Sequence, residues 1–404
     1  MKILLYGINY SPELTGVGKY SGEMGRWLAS QPHDIRVITA PPYYPDWQVS
    51  AGYRAWWYSH RSEAGVSVYR CPLYVPSQPS AIKRLLHLFS FSFSSAWVVL
   101  AQARWKPQLI ILVAPTMICA PQALLLAKLC AGTTVLHIQD FEVDALFDLE
   151  LLGGGPFRRL AYLMERKLLG AFDRVATISP AMLQRARAKG VQPARLILFP
   201  NWSETLRFRT ARRSNELLAQ LGVLPGQRMV LYAGNLGEKQ GLEVLLEVAQ
   251  HLQRRAELVL VVVGEGATKA RLQALAQEGE LGNLMFAPLQ SYEDLPALLA
   301  SADCHLVVQK RGAADLVLPS KLTNILAVGG NAVITADAET TLGQLCSDFP
   351  GIAIRVEPES VEALVDGIEA CLLMPVRNPI AVGYADAHLA KEPILSRFMR
   401  ELNL

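Results

Sequence analysis

Two glycines stand late in the loop that follows the first apolar strand of the chain, and their spacing suits the binding of an anion. The strand at residues 2–6 is followed by the sequence TGVGKY, in which Gly16 and Gly18 lie just before a helical stretch that begins near Lys19. Glycine lets the backbone approach a ligand closely, and the free amides at a helix start attract negative charge. A single Gly-x-Gly is weak evidence, because the same residues also serve an ordinary strand-to-helix turn.

Three further strand-to-helix turns, all in the second half of the chain, combine glycine, serine or lysine with the start of a helix. Their residues are Gly234, Gly237 and Gly241 with Lys239 beside them, then Gly264 and Gly266, and finally Ser320 and Lys321 in the segment LPSKLTN. At the third turn a hydroxyl, backbone amides and an ammonium group converge. Together the turns predict a diphosphate ligand, the alternative being that all three are only turns.

The elements that would position these residues alternate along the chain, with short β-branched runs between longer helical patterns. The first set of predicted strands lies at residues 2–6, 35–39, 108–113, 134–138, 174–178 and 196–199, and the second at 229–232, 258–263, 284–286, 304–308, 332–334 and 352–356. The arginine-rich stretch 201–215 is the predicted linker. The pattern predicts two open α/β domains with parallel sheets, ligand crevices at the carboxyl ends of their strands, and a large substrate in the cleft between them.

Composition excludes several classes of protein. The 404 residues suffice for two domains, and a formal charge of +3 is well below the usual footprint of a nucleic-acid-binding protein. The six cysteines are scattered without a Cys-x-x-Cys pair, which favours buried thiols in a reducing compartment over disulfides or zinc. The N-terminal apolar stretch is short and reaches a polar residue at Asn9, so it is not a signal peptide.

One segment comes near to the composition of a membrane helix, namely residues 85–101, LLHLFSFSFSSAWVVLA. It is short and rich in serine for a spanning helix, but aromatic residues beside Lys83 and Arg84 suit a helix that lies in a membrane interface. Tryptophans at positions 56, 57, 97 and 105 add amphipathic rings nearby. The alternative is a core helix that packs on a sheet.

Motifs over essentially the whole chain resemble those of the retaining glycosyltransferases of family GT4, which have the GT-B fold of two Rossmann-like domains. The motifs are TGVGKY, HIQDFEVD at 137–144, ISPAM at 178–182, FPNW at 199–202, YAGNLGEKQGLE at 232–243, VVGEG at 262–266 and LPSKLTNILAVGG at 318–330. The resemblance implies an acceptor-binding domain at residues 1–205 and a nucleotide-sugar-binding domain at 206–384. It also implies a C-terminal helix at about 385–404 that packs back onto the first domain.

Longer segments, among them GINYSPELTGVGKY and ITAPPYYPDWQV, are similar to the family members that build colanic acid, an exopolysaccharide of enteric bacteria. This similarity implies a cytoplasmic enzyme, peripheral on the inner face of the cytoplasmic membrane, that transfers fucose from GDP-fucose to a lipid-diphosphate-linked saccharide. One alternative is another donor, GDP-mannose or a UDP-sugar, in a related pathway. A GT-B epimerase would need a convincing pair of carboxylates, and an exported sugar-binding protein would need a signal peptide.

The resemblance also implies a role for each site residue. His137, with Asp140 in the same His-x-x-Asp motif, would face the donor sugar as the catalytic residue, although a lone histidine can also be a core residue. No metal is expected, because lysines, amides and helix starts would neutralise the departing phosphate, and no Asp-x-Asp pair follows a strand. The residues expected to bind the donor or its diphosphate are Gly16, Gly18, Gly234, Asn235, Lys239, Gly264, Gly266, Asp315, Ser320, Lys321 and Asn324.

The chain departs from the family pattern at the Glu-x7-Glu motif that many GT4 enzymes carry. The first glutamate falls on Leu316, with Asp315 next to it, and the second falls on Asn324. The amide of Asn324 is still able to form hydrogen bonds with ribose hydroxyls. The motif assigns no role to Asp315.

A second departure concerns the cations that usually contact the diphosphate. The family's arginine, and the lysine five residues after it, fall on Asn235 and Gln240. Lys239 and Lys321 are the residues that could supply the missing positive charge. The contacts to ribose and diphosphate therefore cannot simply be copied from other members.

Overall fold

The apolar runs of the sequence form two sheets with helices between their strands in a computed structural model of the chain. The structure describes residues 1–13, 16–78, 80–141, 156–311 and 319–402. The chain divides into two units, of which the first comprises Met1–Pro200 with Arg397–Leu404 and the second comprises Asn201–Ser396. This architecture confirms the predicted α/β class with two parallel-sheet domains.

The first unit has an eight-stranded sheet in the order β3-β4-β2-β1-β5-β6-β7-β8. Its strands are β1 (Lys2–Tyr6), β2 (Asp34–Thr39), β3 (Ser59–Glu63), β4 (Val66–Arg70), β5 (Leu109–Val113), β6 (Thr133–Ile138), β7 (Arg174–Thr177) and β8 (Leu196–Leu198). Neighbouring strands are parallel except for the β3–β4 pair. Because Ile3 of β1 pairs with Ile35 on one side and Leu109 on the other, the strand order reverses between β1 and β5.

Helices of the first unit lie at Gly16–Ser30, Ala81–Ala101, Ala120–Cys130, Pro156–Ala171 and Pro180–Ala188. The strands predicted for this unit agree with the structure within one residue at each end. Strands β3 and β4 are the exception, since the sequence does not predict them. The β3 residues SHRSE are polar and largely exposed at the edge of the sheet, so they lack the apolar signal of a buried strand.

The second unit has a six-stranded parallel sheet in the order β11-β10-β9-β12-β13-β14. Its strands are β9 (Arg228–Ala233), β10 (Leu258–Val263), β11 (Leu284–Ala287), β12 (Cys304–Val307), β13 (Ala332–Thr335) and β14 (Ile354–Val356). Its helices lie at Thr205–Arg209, Asn215–Gln220, Val244–Leu252, Lys269–Glu278, Leu295–Ser301, Ser320–Val328, Thr341–Asp348, Val361–Leu372 and Pro379–Tyr384.

The continuous apolar run LVLVVV of β10 shows how this sheet is buried. Leu258, Leu260 and Val262 belong to one cluster of core residues, whereas Val259, Val261 and Val263 belong to another. Successive side chains of a strand point to opposite faces, so both faces of the sheet are covered. A run without polar alternation is what such a strand requires, and the sequence therefore predicts its bounds without error.

The stretch 201–215, predicted to be a linker, is instead a packed part of the second unit, and the predicted boundary after residue 205 lies at residue 200. Trp202 and Phe208 are buried. The arginines that make the stretch look solvated have partners. Arg207 donates to the Tyr292 carbonyl oxygen at 2.7 Å.

The C-terminal residues divide between the two units. Residues 385–396, predicted to pack on the first domain, belong to the second unit, where Ala390 pairs with Ser203 in an isolated parallel bridge. Only Arg397–Leu404 belongs to the first unit, in which Phe398 is buried. The predicted single helix is in fact a π-helical turn at Ala385–Leu389 followed by a helix at Lys391–Glu401.

The stretch Ile82–Arg104 is long and apolar enough to cross a membrane, judged by length and composition alone. Its two faces differ in the structure. Phe91 is fully buried, whereas Phe89 and Phe93 are exposed, Phe93 by 87%. The core alternative therefore applies to one face of this helix, whereas the membrane-interface alternative stays a prediction for the exposed face.

This difference predicts very unequal effects of the same substitution at two positions that are two residues apart. Phe91→Ala would leave a cavity in the first unit and should cost about 3–5 kcal/mol of unfolding free energy. Phe93→Ala should change it by less than about 0.5 kcal/mol, since the ring is already in water. Thermal and urea unfolding, followed by circular dichroism, measure both. Equal destabilisation by the two substitutions would contradict this assignment of the faces.

Candidate active site

Loops at the carboxyl edge of the second sheet bring together several residues that the sequence assigns to a diphosphate. The strand order of this sheet reverses between β9 and β12, and open α/β sheets bind ligands at such a reversal. Gly234 follows β9 directly, and Gly264 follows the neighbouring β10. Lys321 lies in the first turn of the Ser320–Val328 helix, where free backbone amides favour an anion.

Gly264 and Gly266 are required by the neighbouring loop. A Cβ atom on Gly264 would lie 1.9 Å from the carbonyl oxygen of Gly234, and one on Gly266 would lie 2.3 Å from that of Leu236. The Leu236 N–H donates to the carbonyl oxygen of Glu265 at 2.9 Å. The missing side chains of these two glycines thus allow two loops to pack backbone against backbone.

The Lys321 ammonium is held at the turn after β9 by an aromatic ring. Its Nζ lies 4.4 Å from the centroid of the Tyr232 ring and 3.4 Å from the Tyr232 hydroxyl oxygen. That hydroxyl donates to the carbonyl oxygen of Asn235 at 2.8 Å. The aliphatic stem of Lys321 passes Gly234, where a Cβ atom would lie 3.5 Å from its Cδ. The structure therefore brings Lys321 and the Gly234 turn together, as the sequence predicts.

A second lysine, which the sequence analysis does not single out, lies against the same loop. Lys310 follows β12, and its Cγ lies 2.6 Å from the position of a Cβ on Gly241. Gly241 has φ +61°, a conformation that favours glycine, and a side chain there would also collide with Lys310. Two neighbouring cations, Lys310 and Arg311, directly after a strand at the reversal point are the signal that could have found it. Arg311 forms ion pairs with Asp337 and Glu357.

Three predicted site residues lie partly or wholly outside the described residues. Asp315 belongs to the range 312–318, which is not among them. For Lys239 and Ser320 the backbone is described and the side chain is not. Lys239 belongs to the short 3-10 helix Glu238–Gln240, and Ser320 is the first residue of the Ser320–Val328 helix.

The two asparagines at the family's charged positions differ in their surroundings. Asn324 Oδ1 accepts a hydrogen bond from the hydroxyl of Ser203 at 2.8 Å, and Ser203 is fully buried. The amide oxygen of Asn324 therefore already binds a protein group, which ties residue 203 to the Ser320–Val328 helix. Asn235 is exposed, and its Oδ1 lies 2.8 Å from the position of a Cβ on Gly266.

In the first unit, a carboxylate occupies the space beside Gly18. A Cβ atom on Gly18 would lie 2.3 Å from Glu13 Oε2. Glu13 is buried, its Oε1 accepts from the N–H groups of Tyr43 and Tyr44, and its Oε2 accepts from the Asn9 amide. Burial raises the pKa of Glu13 despite these bonds. The close approach at Gly18 is thus made by Glu13, whereas Gly16, with φ +59°, begins the helix Gly16–Ser30.

His137 is buried near the carboxyl end of β6, and its ring centroid lies 4.9 Å from that of Phe199. The Gln139 amide nitrogen lies 2.9 Å from Nε2 and can only donate, so the neutral ring carries its proton on Nδ1. No described residue offers Nδ1 a hydrogen bond of acceptable geometry. Burial lowers the pKa of His137 to about 4. The Ala176 backbone has a smaller effect in the opposite direction and raises this pKa. Asp140 is exposed beyond the strand end.

The other expectations about ligands concern cysteine and metal. All six cysteines, each among the residues that the structure describes, are free thiols. Within the described ranges, no three His, Cys, Asp or Glu side chains gather so as to hold a metal ion. Metal independence itself stays a prediction, because it concerns the reaction and not this arrangement.

Comparison with known proteins identifies both halves of the chain. Residues 15–202 match the family model "Glycosyl transferase 4-like domain", and residues 214–381 match "Glycosyl transferases group 1". The chain is 58% identical over 407 aligned residues, covering all of both chains, to WcaI of Escherichia coli (strain K12), whose name assigns it provisionally to colanic acid biosynthesis as a glycosyl transferase.

Solved structures share the fold at low sequence identity. Sucrose-phosphate synthase from Thermosynechococcus elongatus has a TM-score of 0.71 at 16% identity, covering 100% of this chain and 98% of that one. HepE from Anabaena, solved in complex with UDP, has a TM-score of 0.69 at 14% identity and full coverage of both chains. From the two family matches and the full-length relative, we conclude that the chain belongs to the GT4 family of GT-B glycosyltransferases.

Proposed function

We propose that the chain transfers fucose from GDP-fucose to a lipid-diphosphate-linked saccharide in colanic acid biosynthesis, acting at the inner face of the cytoplasmic membrane. The pathway is supported by the 58% identity to WcaI over the full length of both proteins. The donor and the acceptor are supported by the resemblance of segments such as GINYSPELTGVGKY to the colanic acid enzymes of the family.

The observation that carries the transfer chemistry is the ammonium of Lys321 held over Tyr232 at the turn after β9. During transfer, the bond between C1 of the sugar and the β-phosphate oxygen breaks, and GDP leaves with one more negative charge. C1 bonds to the acceptor hydroxyl oxygen, whose proton is released to solvent. A cation and helix amides that are fixed before the reaction stabilise the charge that develops on the leaving diphosphate.

We assign His137 a role in binding the transferred sugar. Its ring is neutral at neutral pH, because burial lowers its pKa to about 4. The Nδ1–H group is buried, and the Ala176 backbone acts on the ring pKa as a hydrogen-bond acceptor does, so a neutral ring would contact the sugar without exchanging a proton. Family resemblance supports the same role for the His-x-x-Asp position of His137 and Asp140.

A UDP-sugar is the second candidate donor. HepE from Anabaena, whose fold this chain shares, was solved in complex with UDP. GDP-mannose is a third candidate, since it offers the same nucleotide as GDP-fucose. Neither alternative changes the proposed role of Lys321, because all of these donors leave as nucleoside diphosphates.

A panel of donors tests the proposal directly. The full-length protein is incubated with a lipid-diphosphate-linked saccharide and GDP-fucose, GDP-mannose or a UDP-sugar in turn, and product mass is followed. We expect a mass gain of one deoxyhexose with GDP-fucose alone. Transfer from a UDP-sugar instead would contradict the proposed donor but would support the proposed transferase activity. No transfer from any donor by a protein that unfolds cooperatively would refute the proposal.

The positive charge of Lys321 should make a large contribution to the rate of transfer. We expect Lys321→Met to lower kcat by about a hundredfold or more, which corresponds to about 3 kcal/mol of transition-state stabilisation. Lys321→Arg should recover part of it. Arg254→Met is the matched control, because Arg254 is an exposed cation of the same unit that precedes β10, at the opposite edge of the sheet. An unchanged kcat in Lys321→Met would show that the leaving group is stabilised elsewhere.

The same cations predict how the enzyme responds to chelators. If Lys321, Lys310 and backbone amides neutralise the leaving diphosphate, transfer should continue at an undiminished rate in excess EDTA. Initial rates with and without EDTA, and after addition of Mg²⁺ or Mn²⁺, measure this. A rate that falls in EDTA and returns with either ion would contradict the prediction.

A further inference from the structure

The helix Ala81–Ala101 buries Phe91 and Val99 on one face but leaves other apolar side chains exposed on the opposite face. Five of them are between 53% and 87% exposed, and they follow one another at intervals of three or four residues, which places them on one face of a helix. They are Ile82, Leu86, Phe89, Phe93 and Trp97. An ordinary surface helix of a soluble domain has one apolar stripe, which is turned inward, and its outer face is polar.

Polar side chains fix the inner face of this helix to the first unit. Ser95 Oγ lies 2.6 Å from the Tyr6 hydroxyl of β1, and Ser94 Oγ donates to the Pro72 carbonyl oxygen. His87 Nδ1 donates to the Tyr74 carbonyl oxygen at 2.5 Å. Because buried hydrogen bonds are costly to break, the helix cannot rotate to bury its apolar stripe.

Aromatic residues of a neighbouring loop extend the exposed stripe. Tyr58 donates to the Ser94 carbonyl oxygen at 2.9 Å and accepts from Trp97 Nε1 at 3.0 Å. Trp56 and Trp57, which precede it, are about as exposed as Trp97. We call the stripe together with Trp56 and Trp57 the apolar face.

The stretch of sequence that contains the helix carries charge of one sign. Residues 64–139 contain no Asp or Glu but six Lys or Arg, whereas all 36 acidic residues of the chain lie elsewhere. Five of the six are exposed, and two of these, Lys83 and Arg84, belong to the first turn of the helix itself. The six are Arg70, Lys83, Arg84, Arg104, Lys106 and Lys128.

We propose that the apolar face docks on the surface of an anionic lipid bilayer, with the helix parallel to the membrane plane. Tryptophan and phenylalanine suit the boundary between headgroups and acyl chains, and the basic residues complement anionic headgroups. The helix does not span the bilayer, because Phe91 and His87 on its other face are built into the domain. The inference deepens the proposed function, since a lipid-linked acceptor would be met at that surface.

Vesicle sedimentation of the full-length protein, without any sugar substrate, tests the docking independently of the donor. The protein should bind vesicles that contain phosphatidylglycerol, bind vesicles of phosphatidylcholine alone much less, and be partly released by high salt. Phe89→Ser with Phe93→Ser should weaken partitioning by about tenfold or more. Lys83→Ser with Arg84→Ser should weaken it by a similar factor on the anionic vesicles only.

The matched control removes an apolar pair of the second unit that is at least as exposed, Leu373→Ser with Val376→Ser, and should leave binding unchanged. Unchanged melting temperatures show that each variant is folded. Binding of Phe89→Ser with Phe93→Ser as tight as that of the unmodified protein would overturn the proposal. So would a protein that ignores both vesicles and forms a dimer which the same double substitution dissociates, because the apolar face would then bind a second copy.

Discussion

The candidate site depends on one close approach between two backbones. Residues 234–236 lie so near residues 264–266 that no Cβ atom fits on Gly264 or Gly266. Thr268 reinforces the contact, since both its hydroxyl and its N–H donate to the Leu236 carbonyl oxygen. The contact fixes the loop after β9, and with it the Asn235 carbonyl that orients Tyr232 beneath Lys321. These two glycines therefore act one step away from the ligand, by placing a backbone.

Positive charge reaches this turn from positions other than those that the family usually employs. Asn235 and Gln240 stand at the family's arginine and lysine positions, and the buried Oε1 of Gln240 has no partner among the described residues. Lys321 is instead supported by an aromatic face and a hydroxyl, which hold the ammonium before a ligand arrives. The side chain of Lys310 lies against Gly241, which belongs to the loop after β9. A cation held in advance needs little reorganisation when charge develops on the leaving group, and that is the requirement for electrostatic catalysis.

How far sequence reasoning succeeds depends on whether a feature is local. The run LVLVVV has no position that tolerates water, so periodicity alone predicts the bounds of β10. The phenylalanines of LLHLFSFSFSS all look alike in the sequence, and only the inward hydrogen bonds of the serines separate buried Phe91 from exposed Phe89 and Phe93. The bond from Ser203 to Asn324 spans 121 residues of sequence, so no local pattern could predict it. Nor could spacing show that the Glu13 side chain fills the space beside Gly18.

Burial determines what chemistry His137 can perform. Its folded pKa of about 4 lies below the ordinary value of 6.5, so the ring is neutral at every pH from 5 to 8. An unfolded chain would take up the proton first as the pH falls, so the ring's contribution to folding stability is complete above pH 6.5 and declines towards pH 4. An imidazolium that donates its proton to a leaving group would have to form against this cost. A neutral ring that keeps its protonation state avoids this cost, and this favours a binding role for His137 over that of a charged acid.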